Sequence, residues 1–462
     1  MAAYEVLRAV RVEDAYANLV LPHVLARLGL GGRDAAFATE LASGALRQRG
    51  TYDAVVAACV DRGRVEAKVL DLLRLGAHQL LAMRVPDHAA ISTTVELART
   101  KADQRAAGFV NAVLRRIARQ PLAAWIAQVA PDREVDHDGW ASVAHSHPRW
   151  VVALLREALG GDVEETDALL TADNLAPRVT LVARPGRAGV AELPGTPTGY
   201  SPFGVVLESG SPSAVPAVAE GRAGVQDEGS QLVALALAES GGDRAGPDRS
   251  DRSDGSDGSD GPAGEVWLDL CAGPGGKSAL LAALAAERGA VLVANERQPH
   301  RAGLVRGNLT EVSGGPVPGA VGVVAGDGLH PPYPPGSFDR ILVDAPCSGL
   351  GALRRRPEAR WRRSPGDLPG LVELQRGLLT TALGLVRPGG LVLYSTCSPV
   401  LAETGGVVEA VLAARGEAAI ARIGGVAARI PDAAGPVPGT VQLWPHRHGT
   451  DAMFLALLRR SR

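Results

Sequence analysis

A chain of 462 residues is too long for one ordinary hydrophobic core, so two or three domains are expected. With 46% hydrophobic and 21% charged residues, the composition fits a soluble globular protein, and with only 4% aromatics Leu, Val and Ala must carry the packing. The formal net charge of −2 excludes a general electrostatic attraction to nucleic acid, so any RNA surface has to come from local clusters of basic residues. Cys59, Cys271, Cys347 and Cys397 show no CxxC or regular spacing, which argues against a zinc site or a disulfide framework; no metal is expected. The N-terminus lacks the apolar core of a signal peptide, and no apolar run approaches the ~18 residues of a membrane span. The expectation is a cytoplasmic protein, monomeric, without membrane contact.

From about residue 5 to 120 the chain reads as helix after helix. Apolar residues recur at three- and four-residue spacing in 65–81 (VEAKVLDLLRLGAHQLL) and again in 91–117, which places an all-α domain over 1–135. Its last helical stretch carries Arg99, Lys101, Arg105, Arg115, Arg116 and Arg119 against the acid Asp103. A solvated helix face is the plainer reading and RNA contact the sharper one. Residues 140–238 mix a helix (Trp150–Leu159) with short β-like runs at 178–184 and 204–208, punctuated by Gly and Pro, and read as a small α+β domain.

A segment over 239–264 follows, in which 240–264 contain only Gly, Ser, Asp, Arg, Pro and Ala. It cannot bury apolar surface and is expected to be a disordered insert. From 265 to 462 the pattern changes again. Apolar runs at 266–270, 290–294, 321–325, 338–343 and 391–394 are mostly separated by helical segments, and DAMFLALLRR suggests a last strand. That alternation implies an α/β, Rossmann-like, mostly parallel sheet with helices on both faces.

The first of these strands runs into Asp269-Leu-Cys271-Ala272-Gly273-Pro274-Gly275-Gly276-Lys277. The glycines permit a sharp turn and close backbone approach at a helix start, where N–H groups favour an anion such as the carboxylate of S-adenosylmethionine. The loop is neither the dinucleotide fingerprint nor a P-loop, and a glycine turn alone is weak evidence. Acids at the ends of the next strands, Glu296, Asp327 and Asp344, add weight, because ligands of such sheets sit outside the carboxyl ends of the strands. A nucleoside cofactor follows from three acids lining one crevice.

Strand four ends in Asp344-Ala-Pro-Cys347-Ser-Gly, and strand five in Ser-Thr-Cys397-Ser, which puts two thiols at neighbouring strand ends. Cys59 and Cys271 read as small buried hydrophobes instead. A thiol beside a methyl donor has a clear use. C5 of cytosine is a poor nucleophile until a thiolate adds to C6 and makes C5 enamine-like. Asp344 is then the candidate to contact the base near N3 and stabilise charge on the adduct.

At DLCAGPGGKS, LVDAPCSGLGALRRRPEARW and LVLYSTCS the sequence resembles the Sun/RsmB family of bacterial ribosomal RNA cytosine-C5 methyltransferases. VQDEGSQLVALAL (225–237) resembles the segment leading into that family's catalytic domain, and RAAGFVNAVLRRIAR (105–119) its NusB-like RNA-binding domain. The resemblance covers nearly the whole chain except the low-complexity insert. It implies S-adenosylmethionine as cofactor and small-subunit (16S) ribosomal RNA as partner. It also implies Cys397 as the attacking nucleophile and Cys347 as the thiol that assists product release. Cofactor binding is carried onto Cys271, Ala272, Gly273, Pro274, Gly275, Gly276, Lys277, Glu296, Asp327 and Asp344.

Lys277 is the one Lys after residue 101. The run Arg354, Arg355, Arg356, Arg360, Arg362 and Arg363 around Trp361 suits phosphate contact and base stacking. This chain departs from the family pattern in having Gly273 for the usual Ala, Glu296 for the usual Asp, and Ala452-Met453-Phe454 for Gly-Phe-Phe. Two rivals stay open: a cytosine-C5 enzyme with another substrate (DNA, with Cys347 attacking, or transfer RNA), and a non-catalytic RNA-binding assembly factor.

Overall fold

The computed structural model describes residues 1–61, 63–241 and 264–461. The low-complexity insert expected over 239–264 lies almost wholly outside the described residues. The chain divides into two compact units, Met1–Pro177 together with Ala352–Pro365, and Arg178–Gly351 together with Gly366–Arg462.

The first unit is helical throughout, from Ala2–Val12 to Val163–Asp173. Helix Ala67–Leu81 is its centre, with ten residues from Val69 to Gln79 buried, and it packs with Tyr52, Leu114 and Ile117 of neighbouring helices. Short acids start several helices: Asp103, Asp136 and Asp162 accept hydrogen bonds from the backbone N–H groups of Ala106, Gly139 and Glu165. The expected domain boundary near 135–140 differs from this division. Helices His137–Ala144, Arg149–Ala158 and Val163–Asp173 bury Ala141, Val151, Val152, Leu155 and Leu169 and belong to the helical unit. The predicted small α+β domain is therefore split: its helices fall in one unit and its strands in the other.

The second unit begins with a small antiparallel sheet of β1 (Thr180–Ala183), β2 (Gly195–Pro197), β3 (Gly204–Leu207) and β4 (Ala223–Val225), in the order β2-β3-β1-β4. The larger sheet holds β5 (Val266–Asp269), β6 (Val291–Glu296), β7 (Ala320–Ala325), β8 (Phe338–Asp344), β9 (Val386–Thr396), β10 (Ala418–Ile420), β11 (Val441–Gln442) and β12 (Phe454–Arg460). Its order is β10-β12-β9-β8-β5-β6-β7, with β11 on β12. The five strands from β7 to β9 are parallel, and β12 pairs antiparallel with β9.

Alternation along the strands fills two cores. Trp267, Leu342, Leu393, Leu455 and Leu457 join helices Glu228–Glu239 and Gly276–Glu287 on one face. Leu268, Ile341, Val343, Val392, Tyr394, Phe454 and Leu458 join helices Leu368–Leu385 and Gly405–Ala414 on the other. Such two-sided burial is why the central strands read as near-continuous apolar runs. This is a Rossmann-like, mostly parallel α/β architecture. The order reverses at β5, where the ends of β5, β6 and β8 open a crevice.

Candidate active site

The loop after β5 is shaped by two glycines with different reasons to be glycine. Gly275 precedes helix Gly276–Glu287 with φ +110°, a conformation that L side chains rarely adopt. Gly273 donates its N–H to Glu296 Oε2 at 2.9 Å, and a Cβ there would stand only 2.1 Å from that oxygen. The two departures from the family pattern thus belong together: the longer acid occupies space that an alanine methyl would fill. Glu296 Oε1 accepts from the Gln298 N–H, so the carboxylate is fixed at the end of β6. Arg301 donates to the Gly273 carbonyl at 2.6 Å and Asn308 to the Pro274 carbonyl at 3.1 Å, bracing the loop from the following helix. At Gly276 a side chain would meet nothing within 4 Å, so the helix start faces open space. Asp327 lies two residues past β7, and its Oδ1 accepts from the Leu329 N–H at 3.1 Å.

The register of β8 on β9 sets Asp344 opposite Ser395. Three residues past Asp344 comes Cys347, and two past Ser395 comes Cys397; their sulfurs are 3.4 Å apart. Ser395 donates to Asp344 Oδ1 at 3.0 Å, and Lys277 Nζ donates to Asp344 Oδ2 at 2.9 Å. One carboxylate is therefore held between the cofactor loop and the thiol-bearing strand.

The charges around the thiols are unequal. Burial works against the Lys277 ammonium, but Asp344, Cys397 and Asp269 outweigh it and hold Lys277 above the ordinary lysine range. Its cation is thus an electrostatic neighbour of Cys397. Cys347 is pushed well above the ordinary thiol range by its hydrogen bond with Cys397, then by burial and the charge of Cys397, and in smaller part by Glu403. Burial, with Asp269, Asp344 and Glu296 nearby, does the same to Cys271, which stays a neutral thiol. Desolvation raises Asp269, at the end of β5, to about 7 even though Ser278 donates to it.

The arginine run predicted to contact RNA behaves otherwise in part. Arg360 is fully buried in the helical unit, where it donates to the Ser146 carbonyl, to Asn174 Oδ1 and to the Asp173 carbonyl. Arg362 pairs with Asp14 and donates to the Ala15 carbonyl. Trp361 lies under the Arg49 guanidinium, at 5.4 Å, rather than open to a base. The expectation is corrected for Arg360 and for the buried Arg354: a buried guanidinium must spend its N–H groups on protein acceptors. Arg356 and Arg363 are exposed, with Arg356 over the Tyr16 ring, and Arg355 is half-buried.

Residues that the motifs did not single out also build the site: Ser395, Ser278, Arg301 and above all Glu403. Tracing donors to a buried carboxylate finds the last of these; nothing in its sequence surroundings marks it. Of the departures near the C-terminus, Ala452, Met453 and Phe454 are all buried, and Phe454 meets the Tyr394 ring edge-on at 6.2 Å. Among the described residues no cluster of three or more potential metal ligands occurs, and no helix is long and apolar enough to cross a membrane.

A switch-point crevice, a glycine-rich loop with facing acids and a thiol pair define the class: a Rossmann-like methyltransferase. The family model described as 16S rRNA methyltransferase RsmB/F matches residues 260–459, and the NusB family model matches residues 1–119. A Mycobacterium tuberculosis protein named as a methyltransferase is 51% identical over 477 aligned residues, covering 99% of this chain and 96% of that protein. The ribosomal RNA small subunit methyltransferase B of Salmonella paratyphi A is 30% identical, with 92% of each chain covered. The crystal structure of PH0851 matches with a TM-score of 0.77 at 19% identity, over 99% of this chain and 98% of that one. That of NSun6 from Pyrococcus horikoshii with SFG matches with a TM-score of 0.53 at 16% identity, over 68% and 98%. The chain belongs to the RsmB/F methyltransferase family, with a NusB-type N-terminal region.

Proposed function

We propose that the protein methylates C5 of a cytosine in small-subunit (16S) ribosomal RNA, with S-adenosylmethionine as methyl donor and Cys397 bonded to C6 of the base during transfer. The observation that carries this reading is the pair of sulfurs 3.4 Å apart at adjoining strand ends, next to the Lys277–Asp344 pair. The choice of RNA rests on the names of the Salmonella relative and of the matching family model. In this reading residues 1–135 form a NusB-like RNA-binding domain, 140–238 an RNA-recognition region and 265–462 the methyltransferase domain. Arg355, Arg356 and Arg363 supply further RNA contact.

The donor set suits the cofactor. The open helix start at Gly276 offers N–H groups to a carboxylate, Lys277 stands beside it, and Glu296 presents a fixed carboxylate of the kind that holds a ribose diol. Cys271, Ala272, Gly273, Pro274, Gly275, Asp327 and Asp344 complete the lining. When bound, S-adenosylmethionine supplies an electrophilic methyl group on a sulfonium.

Cys397 attacks C6 as a thiolate, favoured by the Lys277 ammonium. The S–C6 bond forms, and the C5–C6 π pair becomes the nucleophile at C5. Asp344, oriented by Lys277 and Ser395, contacts the base near N3 and stabilises charge on the adduct. After methylation a base takes the C5 proton, the C–H electron pair restores the C5–C6 double bond, and the S–C6 bond breaks with its pair leaving on Cys397 as a thiolate. Cys347 is held as a neutral thiol, so it does not compete as nucleophile, and it stands beside the departing sulfur to assist release. The base must be flipped out or single-stranded for a thiol to reach C6 above the ring.

The test mixes unmethylated small-subunit rRNA and S-adenosylmethionine with Cys347→Ala or Cys397→Ala protein and runs a denaturing gel. Cys347→Ala is expected to leave an RNA–protein adduct that survives denaturation, whereas Cys397→Ala neither traps nor methylates RNA. Adduct formation that required Cys347 instead would reverse the two roles.

A further inference from the structure

Both thiols sit in loops, and loops need an internal reason to hold two sulfurs 3.4 Å apart. That reason is found behind them. Glu403, on the short turn Leu401–Glu403, has no exposed surface. Its Oε1 accepts from the Ser348 N–H at 2.7 Å and from Gln375 Nε2 at 3.0 Å; its Oε2 accepts from Ser348 Oγ at 2.5 Å and Ser398 Oγ at 2.6 Å. Two N–H donors thus converge on Oε1 and two hydroxyls on Oε2, so both oxygens of the carboxyl group are fully engaged in a cage of donors.

Ser348 directly follows Cys347, and Ser398 directly follows Cys397. One side chain therefore ties the residue after each cysteine to a common point, and the two hydroxyls also approach each other at 3.1 Å. The cage is itself anchored. Gln375 donates a further bond to the Pro346 carbonyl at 2.9 Å, and Tyr394 OH donates to the Glu403 carbonyl at 2.7 Å. Proline 346, both cysteines and both serines are thus referred to one buried acid.

We propose that Glu403 is a positioning residue for the methyl-transfer chemistry, a buried carboxylate that sets the spacing of the Cys347 and Cys397 loops and adds negative charge beside Cys347. With no exposed surface, it acts through the loops it binds. It rests on the functional reading above only for the consequence in catalysis; the geometry and the charge act on the thiols whether or not RNA is present. The second half of its role follows from placement. Its negative charge bears on Cys347, while the positive charge of Lys277 bears on Cys397. The same buried charge that holds the loops adds to the Cys397 hydrogen bond and to burial in keeping Cys347 protonated.

Three variants of the full chain separate this from a merely structural role: Glu403→Gln, nearly isosteric but neutral; Glu403→Ala, which removes the cage; and Ser398→Ala, which cuts one tether. The first measurement needs no RNA: alkylation of each cysteine by iodoacetamide from pH 7 to 10, read by peptide mass spectrometry. Glu403→Gln is expected to melt within a few degrees of wild type, yet to lower the pH of half-maximal alkylation at Cys347 by about half a unit or more. The second measurement is the single-turnover rate of adduct formation with rRNA in the Cys347→Ala background. Glu403→Ala should lower it at least tenfold with S-adenosylmethionine affinity within twofold of wild type, Glu403→Gln should restore most of it, and Ser398→Ala should fall between. Unchanged alkylation profiles in Glu403→Gln, or equal loss in Gln and Ala variants tracking the melting temperature, would overturn the positioning role. Absence of any adduct in the Cys347→Ala parent would count against the methyl-transfer reading, and the alkylation profiles would still decide the role of Glu403.

Discussion

Cys347 and Cys397 are the same residue type, one on each of two adjacent parallel strand ends, with sulfurs in contact, and yet different charged side chains bear on them. Cys397 has the Lys277 ammonium for a neighbour; Cys347 has the caged Glu403 carboxylate. The chain that follows each cysteine differs as well. After Cys397 it turns back within a few residues to deliver Glu403 behind both loops. After Cys347 it runs into the arginine segment 352–365, which belongs to the helical unit. Burial alone would treat the two thiols alike, so the division of labour proposed for them rests on charged side chains contributed by other elements.

The comparison can be broken most forcefully by removing each sulfur. Cys397→Ala should lower methylation of rRNA by at least roughly a thousandfold, whereas Cys347→Ala should permit one turnover and then stall as adduct. Removing the cation comes next. Lys277→Met should cost roughly a hundredfold in single-turnover rate and move the rising limb of the pH–rate profile upward by about one unit. The sign follows from the chemistry: a thiolate that loses a neighbouring positive charge forms only at higher pH. An unshifted profile would detach Lys277 from Cys397.

The arginine segment sharpens the comparison from outside. Arg360→Met should destabilise the helical unit by about 3 kcal/mol, because the Ser146 and Asp173 carbonyls and Asn174 lose a buried donor. Exposed Arg363→Ala should change stability by less than about 0.5 kcal/mol while weakening RNA binding in low salt. Thermal unfolding and a salt series of RNA affinity check both. A further stability effect, confined to a pH window, concerns Asp269. Its folded carboxyl is raised to about 7, so between about pH 4, where the unfolded group titrates, and pH 7 the folded state holds the extra proton. Stability should therefore fall as pH rises through that window, by up to about 1.4 kcal/mol per pH unit from this group. Asp269→Asn should flatten that slope in denaturant unfolding measured from pH 4 to 8.

Much of this was legible from residue order because the informative features are local. Six of the eight strands of the large sheet announced themselves as apolar runs, and a glycine turn after a strand with acids at the next strand ends marks a switch-point crevice whatever the ligand. What escaped is set by contacts between distant residues. The three-residue strands Gly195–Pro197, Ala223–Val225 and Ala418–Ile420 are too short to show alternation. The helices at 137–173 gave no local sign of which unit they join. The Arg354–Arg363 run looked like a phosphate surface because charge in sequence does not disclose that Asn174 and two backbone carbonyls wait to bury one of its members. Glu403 was invisible for the same reason, since its meaning lies in Ser348, 55 positions away. The Gly273–Glu296 pair shows the converse: two departures from a family pattern that look independent in sequence are one steric event in the fold.

The most direct test of the central claim is to identify the sulfur that carries the RNA. Adduct trapped in Cys347→Ala with unmethylated small-subunit rRNA would be digested with nuclease and protease, and the modified peptide sequenced by mass spectrometry. The account predicts a methylated cytidine nucleotide on the Cys397 peptide, linked through C6. A nucleotide recovered on any other peptide, or linked adduct from wild type that maps to Cys347, would contradict it.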